Sequence, residues 1–465
     1  MDQQPREAKE ATPPPPVIDP RESYARINRE VAGIPLGRPS LGWFLAALLG
    51  LLLTGLLAVT ITWLLWRGVG IWGVMIPVAW GFAITNFVWW IGIGHAGTFI
   101  SAFLLLMHQD WRTSINRFAE AMTLFAVSCA GLFPLLHMGR PWLFYFLLPY
   151  PDTMGLWPQW RSPLVWDVFA VSTYLLVSLL FWYAGLVPDL ATMRDRAKSK
   201  LAKILYGVFA LGWRGSARHW QRQELAYVLL AGLATPLVIS VHSVVGLDFA
   251  AAIVPGWHSA FFPPYFVAGA IFSGFAMVLT LAIPLRSIYG LEGLITQRHL
   301  SNMAKMMLVT GLIVDYSYAM EIFMSWYSDD KFEWATTVYR MFGNYAFVFW
   351  IIILCNICMP QFFWFERVRT SPLALFVVAL FCQLGMWLER YMIVITSLAH
   401  DFMPSAWRTF HGTFWDWTML IGTIGFFGLA FILFVRVLPS ISMSEARELI
   451  HRVHKGLGEP PGSGG

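Results

Sequence analysis

An all-α polytopic membrane protein with about ten transmembrane helices is the fold class this sequence predicts, and three observations predict it. Of 465 residues, 57% are hydrophobic and only 13% charged, where a soluble protein carries about a quarter charged residues. Mean hydropathy is +0.59, and long apolar stretches recur almost to the end of the chain. The 24 Trp and 15 Tyr suit broad interfacial belts.

Taken in order, residues 1–40 are polar, with a run of proline from Pro13 to Pro16 and six basic residues. No signal-peptide cleavage pattern follows, so this segment reads as an attached cytoplasmic tail. Ten apolar spans are expected at 41–66, 72–107, 116–137, 163–186, 224–246, 261–286, 303–326, 344–365, 372–396 and 416–438. Each is long enough to cross ~30 Å of hydrocarbon at about 1.5 Å per residue. The transmembrane domain thus covers 41–438, and 439–465 form a second cytoplasmic tail.

Charge sets the orientation. Twenty-five of the 32 Lys and Arg residues fall in the N-terminal tail, in 108–117, 187–223, 286–305 and 366–371, and from Arg436 onward; the alternate segments hold seven. Both termini are therefore expected in the cytoplasm, which needs an even number of spans. A basic pI near 9 is explained by this asymmetry rather than by nucleic acid. The segments 138–162, 247–260, 327–343 and 397–415 then face outward; rich in Trp, Pro and Tyr, they suit docking of a partner. On the inner side, DLATMRDRAKSKLAKIL reads as an amphipathic helix on anionic lipid. Cys355 and Cys358 form a CxxC without a second pair, and read as small buried residues in a continuous helix rather than as a metal site.

Ionisable side chains at or within apolar spans are costly and mark sites. His137 closes the third span, and Asp167 opens the fourth in SPLVWDVFAVSTY, sharing a helical face with Val171 and Tyr174. Antiparallel packing would set His137 and Asp167 at one depth, where an imidazole beside a carboxylate relays a proton, as oxidation of a hydroquinone requires. His242 and Asp248 end the fifth span, with Gly246 expected to break the helix so that both face inward. Glu389 and Arg390 lie towards the outer end of the ninth span, with His258, His400 and Asp401 in outer loops. A deeper set comprises His95, Glu120, Asp315 and Glu321, with His108 nearer the cytoplasm; these residues are expected either on a proton path or in buried hydrogen bonds that lock helices together.

Two other classes compete. A haem cytochrome needs paired histidines at matched depths; His137 and His242 supply one pair, but no helix carries two for stacked haems. A transporter predicts broken helices and charges near the midplane, whereas the strongest polar constellation here lies at one surface. A quinone-handling subunit with no bound cofactor of its own accommodates these residues better.

The stretches GIGHAGTFISA (92–102), RTSINRFAEAMT (112–123), LLHMGRPWLFYFLLPYP (135–151), SPLVWDVFAVSTY, VHSVVGLDFAAAIVPGWHSAFFPPYF and LERYMIVITSLAHDFMPSAW carry a resemblance. The sequence resembles the NrfD/PsrC family of membrane subunits, and within it the ActC-type subunits of bacterial alternative complex III. The resemblance implies two four-helix bundles, spans 2–5 and 6–9, flanked by spans 1 and 10, in a bacterial cytoplasmic membrane. It implies oxidation of menaquinol or ubiquinol near the positive side, at His137 and Asp167, and extends to Asp248 and Arg390. Electrons would pass to an iron–sulfur subunit (ActB-like), then to haem c in c-type cytochrome subunits, and on to a soluble carrier or terminal oxidase. A homologous membrane subunit (ActF-like) and bound lipids are expected alongside. The wider family leaves electron direction open, and proton translocation is a further expectation.

Overall fold

A computed structural model describes residues 16–148 and 160–455. Most of the proline run, the tip of the 138–162 loop and the last ten residues lie outside the described residues.

Among the described residues, ten helices are long and apolar enough to cross a membrane: Leu41–Arg67, Gly81–Leu106, Asn116–His137, Pro163–Arg196, Ala217–Ala250, Phe262–Tyr289, Gln297–Tyr327, Ala346–Trp364, Pro372–Ala399 and Phe414–Val437, spans 1 to 10. The described chain contains no strand. Span 1 is capped by Ser40, whose hydroxyl accepts from the Trp43 amide, and it stops at Gly68, where φ is +79°.

Several boundaries differ from expectation. Span 2 starts at Gly81 and not at residue 72, because Pro77 lacks an amide hydrogen and disfavours helix in the residue before it. Spans 4 and 5 each run 34 residues, about 50 Å at the α-helical rise, so both project beyond the hydrocarbon. The amphipathic segment accordingly splits: its first residues complete span 4, and Lys200–Phe209 form a short helix with Leu201, Ile204, Leu205 and Val208 exposed. Span 8 is not one continuous α-helix; residues 353–358 form a π turn. That turn buries Cys355 and leaves Cys358 exposed, so only one of the two is the small buried residue expected.

Span 2 packs on spans 3 and 5, and span 4 completes the ring with them. Span 6 packs on spans 7 and 9, and span 8 closes that second ring. These are the two four-helix bundles, joined where span 6 meets spans 2 and 5 and span 9 meets span 2. Spans 1 and 10 lie along each other, with span 10 against spans 2 and 3. Span 2 is consequently buried along most of its length, while span 1 exposes most of its leucines.

Tyr24 Oη bonds to His451 Nδ1 at 2.7 Å, and His454 Nε2 donates to the Pro20 carbonyl at 3.0 Å. Both ends of the described chain therefore share one face of the bundle, here the terminal face; the opposite end is the far face.

The joint between the bundles depends on small residues. A Cβ on Gly274 of span 6 would lie 1.7 Å from the Ala96 Cβ of span 2, so the helices touch backbone to backbone. Replacing Gly274 by Ala is expected to cost about 1–3 kcal/mol by overpacking, seen as a lower melting temperature of the detergent-solubilised protein. Gly232→Ala, with open space around it, serves as the control and should melt like the parent.

Candidate functional site

Three levels of buried polar residues line the first bundle. At the far end, the carboxyl groups of Asp167 and Asp248 lie within hydrogen-bonding reach of each other. Two carboxyl groups that close can share one proton between an oxygen of each, which leaves the other oxygens open. Asp167 has turned inward with Val171 and Tyr174 on the predicted face. His137, at the end of span 3, stacks on Trp72 with ring centroids 6.3 Å apart. Asp167 Oδ1, Asp248 Oδ1 and His137 Nδ1 are all buried and have no protein partner.

This arrangement corrects two expectations. Asp167 interacts with the Asp248 carboxyl across spans 4 and 5, and the His137 ring lies against an indole. Gly246 does not break span 5, which is helical through Ala250. Its hydrogen admits span 6, since a Cβ there would stand 2.8 Å from the Pro263 Cα. On an unbroken helix, residues six apart point in different directions, so Asp248 meets Asp167 while His242 turns elsewhere.

His242 faces His95, the deeper histidine on span 2. Their Nδ1 atoms are 2.6 Å apart and the rings meet edge to face. One Nδ1 must carry the hydrogen and the other accept it. In a neutral pair the accepting ring then carries its hydrogen on Nε2. Both Nε2 atoms are buried without partners, leaving one orphaned donor and one orphaned acceptor. An ion held between two imidazoles at ~2 Å from each nitrogen needs a wider gap, so this pair is a hydrogen bond and not a clamp. His242 is thus engaged with His95 and His137 with Trp72. Tyr174 packs on His95 and donates to the Gly94 and His95 carbonyls at 2.9 and 3.2 Å.

Arg390 stands on the other side of His242, in the joint between bundles. Its guanidinium lies 4.2 Å from the Phe266 ring centroid, and Nη1 donates to Glu389 Oε1 at 2.5 Å. Glu389 in turn accepts from Tyr318, whose hydroxyl accepts from Asn356 Nδ2 at 2.8 Å. Neither Arg390 nor Glu389 snorkels; both are fully buried.

The third level lies towards the terminal face. Glu120 accepts from Ser101 at 2.5 Å, from Tyr227 at 2.9 Å and from Arg117 at 3.3 Å. Arg117 also donates to the Trp182 and Gly185 carbonyls and to Asp189. Helix Met443–His454 closes this end, with Glu445 accepting from Arg112 at 2.6 Å and Asn116 at 3.0 Å. The carboxyls of the seventh span do not join the column: Asp315 accepts from Gln361 at 2.9 Å and Glu321 from Arg340 at 2.7 Å, both in the second bundle.

Sequence reasoning passed over Arg117, Asp189, Tyr227 and Asn356, and named Tyr318 only beside Asp315 and Glu321. Asp189 fell in a segment taken as a loop and Arg117 at the very edge of a span, although Arg117 and Glu120 have the i, i+3 spacing of an ion pair. In the loops themselves, His400 stacks between Tyr339 and Trp407. Asp401 accepts from the Met403 amide, a local turn.

A family model described as polysulphide reductase, NrfD, matches residues 73–402. A protein of Halobacterium salinarum, provisionally named as a membrane subunit of dimethyl sulfoxide reductase, is 30% identical over 208 residues. That match covers 44% of this chain and 43% of the relative, so the chain spans less than half of it. The C subunit of selenate reductase from Mesobacillus selenatarsenatis is 21% identical over 396 residues, 81% of this chain and 88% of the relative.

Arg117 is the cation that Glu120 and Asp189 share, and all three are fully buried. Arg117→Met should destabilise by about 3–5 kcal/mol through the charges left unpaired. Adding Glu120→Gln and Asp189→Asn should recover most of the lost melting temperature. An unchanged melt for the single variant would remove this cluster from the framework.

Proposed function

We propose that this chain, which belongs to the polysulphide reductase NrfD family, oxidises a quinol at the far end of its first bundle. The protein is a multi-pass membrane subunit of the kind found in membrane oxidoreductase complexes. The observation that carries the finer reading is the set of three buried, unpartnered atoms on Asp167, Asp248 and His137. Buried polar atoms without partners are rare in a folded protein and call for an explanation. A hydroquinone supplies it. Its hydroxyls donate to the carboxyl and imidazole acceptors, and its two protons leave with two electrons.

Asp167 and His137 act as proton acceptors, and Asp248 shares the proton of Asp167 and so holds its pair partner close. Arg390 and His242 lie deeper, where they bias charge around the histidine pair. His95, Tyr174 and Glu120 continue the polar column towards the terminal face, and in this reading they carry protons along the first bundle. Asp315 and Glu321, which the sequence suggested for the same path, stand outside it.

The excess of Lys and Arg on the terminal face supports a cytoplasmic position for both ends. The far face then lies on the positive side of a bacterial cytoplasmic membrane. There Trp142, Phe144, Met403 and Trp407 are exposed, a surface suited to an iron–sulfur partner (ActB-like) that takes the electrons. The long sequence resemblance favours menaquinol or ubiquinol as donor, c-type haem subunits beyond the cluster, and an ActF-like membrane subunit, as in alternative complex III. The names of the two relatives favour a second reading: an anchor that feeds quinol electrons to a different respiratory reductase. Both readings place the same chemistry in this chain. A c-type haem spectrum in the purified complex separates them.

In the purified complex, Asp167→Asn should lower quinol oxidation by roughly 10²- to 10⁴-fold, the range for loss of a general base, with every subunit still present. His137→Ala should fall in the same direction. Normal turnover by Asp167→Asn would remove it from the mechanism.

A further inference from the structure

A cavity of about 580 Å³ opens at the far end of the second bundle, between spans 6 and 7 and the helix Lys331–Phe342. Its walls are largely apolar, built by Phe261, Phe262, Met320 and Met324. Met324 and, beside the site, Tyr316 and Phe323 are exposed along span 7, on the flank that faces lipid.

The polar groups in its lining define the occupant. Tyr265 is 3% exposed, and its hydroxyl is buried without a partner. His258 Nδ1 lies 2.9 Å from the Ala252 carbonyl. A carbonyl only accepts, so Nδ1 carries the hydrogen and Nε2 is left as an acceptor. The carboxylates are already engaged. Glu321 pairs with Arg340 at 2.7 Å, Glu333 accepts from the Gly256 amide at 2.8 Å, and Asp330 caps its helix through the Phe332 and Glu333 amides. A phosphate headgroup would meet three acids and no free cation in this lining. Among the described residues, no three acidic, histidine or cysteine side chains converge as a metal cation would need. An uncharged head bearing hydroxyl or carbonyl oxygens matches one free hydroxyl and one free acceptor, and an aromatic, Met-lined space of this volume suits a ring with an apolar tail.

We propose that this cavity is a second binding site for a ring-headed isoprenoid lipid of the quinone class, held at its head oxygen by Tyr265 and at its mouth by His258. The choice of a quinone among uncharged lipids rests on the quinol reading of the chain. Behind Tyr265 stand the Tyr318 ring, 5.9 Å away, and the Arg390 guanidinium, 5.8 Å from the tyrosine ring centroid. A head group here would therefore sit one side chain from the Glu389–Arg390 pair that borders His242.

The test is the stoichiometry of a short-chain naphthoquinone bound to the purified complex, compared across variants of this chain. Two equivalents attributable to the chain are expected. Met320→Trp, which pushes a bulky ring into the cavity, should remove one, and Asp167→Asn should weaken the other. Tyr265→Phe removes a single hydroxyl with little risk to folding, and should weaken the Met320-sensitive equivalent by roughly three- to tenfold. One equivalent in the parent, lost with Asp167→Asn and indifferent to Met320→Trp and Tyr265→Phe, would overturn the second site and leave the first intact. No equivalent sensitive to any variant would overturn the quinol reading itself. A tightly held phospholipid that Met320→Trp releases would also overturn the assignment.

Discussion

A methyl group on Gly274 would overlap the Ala96 Cβ, so spans 2 and 6 meet as they do only because that position carries a hydrogen. Lipid gives no hydrophobic reward for bringing helices together, so close packing and polar contacts must hold them. The contact sits one residue from His95. One turn back along span 2, a Cβ on Gly92 would lie 3.8 Å from His242 Cε1. On span 6, Gly269 leaves room for the Arg390 guanidinium, 3.0 Å from where its Cβ would be. One line of small residues thus fixes the distance between the bundles and the space in which the histidine pair and the arginine stand.

Polar contacts complete the joint. Gln383 donates to the Ser273 carbonyl at 2.6 Å and Trp387 to Asn86 at 2.9 Å, tying span 9 to spans 6 and 2. Breaking one such bond inside hydrocarbon leaves a group with no water to turn to. The buried ions follow the same rule: Arg117 reaches two carboxylates and two carbonyls, and Arg390 has Glu389 and an aromatic face. Such networks resist sliding, which suits a scaffold that must hold proton acceptors at fixed depths.

Much of this was legible in the sequence, because hydropathy reports spans directly. The ten spans, and the inward turn of Asp167 with Tyr174, follow from length and from the 3.6-residue period. What hydropathy does not report is which helices are neighbours. His242 and Asp248 looked like one cluster because they are close in sequence, whereas the fold gives each a partner from a different span. Arg117 and Arg340 were counted as flanking charges, since a one-dimensional reading puts cations at span ends in water. Their burial depends on acids supplied by other segments, Asp189 for Arg117 and Glu321 for Arg340. The two glycine-dependent contacts were equally hidden: Gly246 reads as a helix breaker until the approach of Pro263 is known.

The buried polar groups divide by whether their bonding capacity is met. Glu389 takes Arg390, Tyr318 and Asn356, so it is a knot in the framework and its removal is a stability event. Asp167, Asp248, His137, the outer nitrogens of the histidine pair and the Tyr265 hydroxyl retain unmet valences. In a low-dielectric interior an unmet valence is expensive. The fold bears that cost at several places, Arg117 Nε and Asn356 Oδ1 within the framework among them, and one set runs from the far end of the first bundle to the histidine pair and across the joint to the second cavity. Groups that must exchange protons or receive a head group cannot be saturated by the protein itself, and in the proposed reading the groups along this course stay open for that reason.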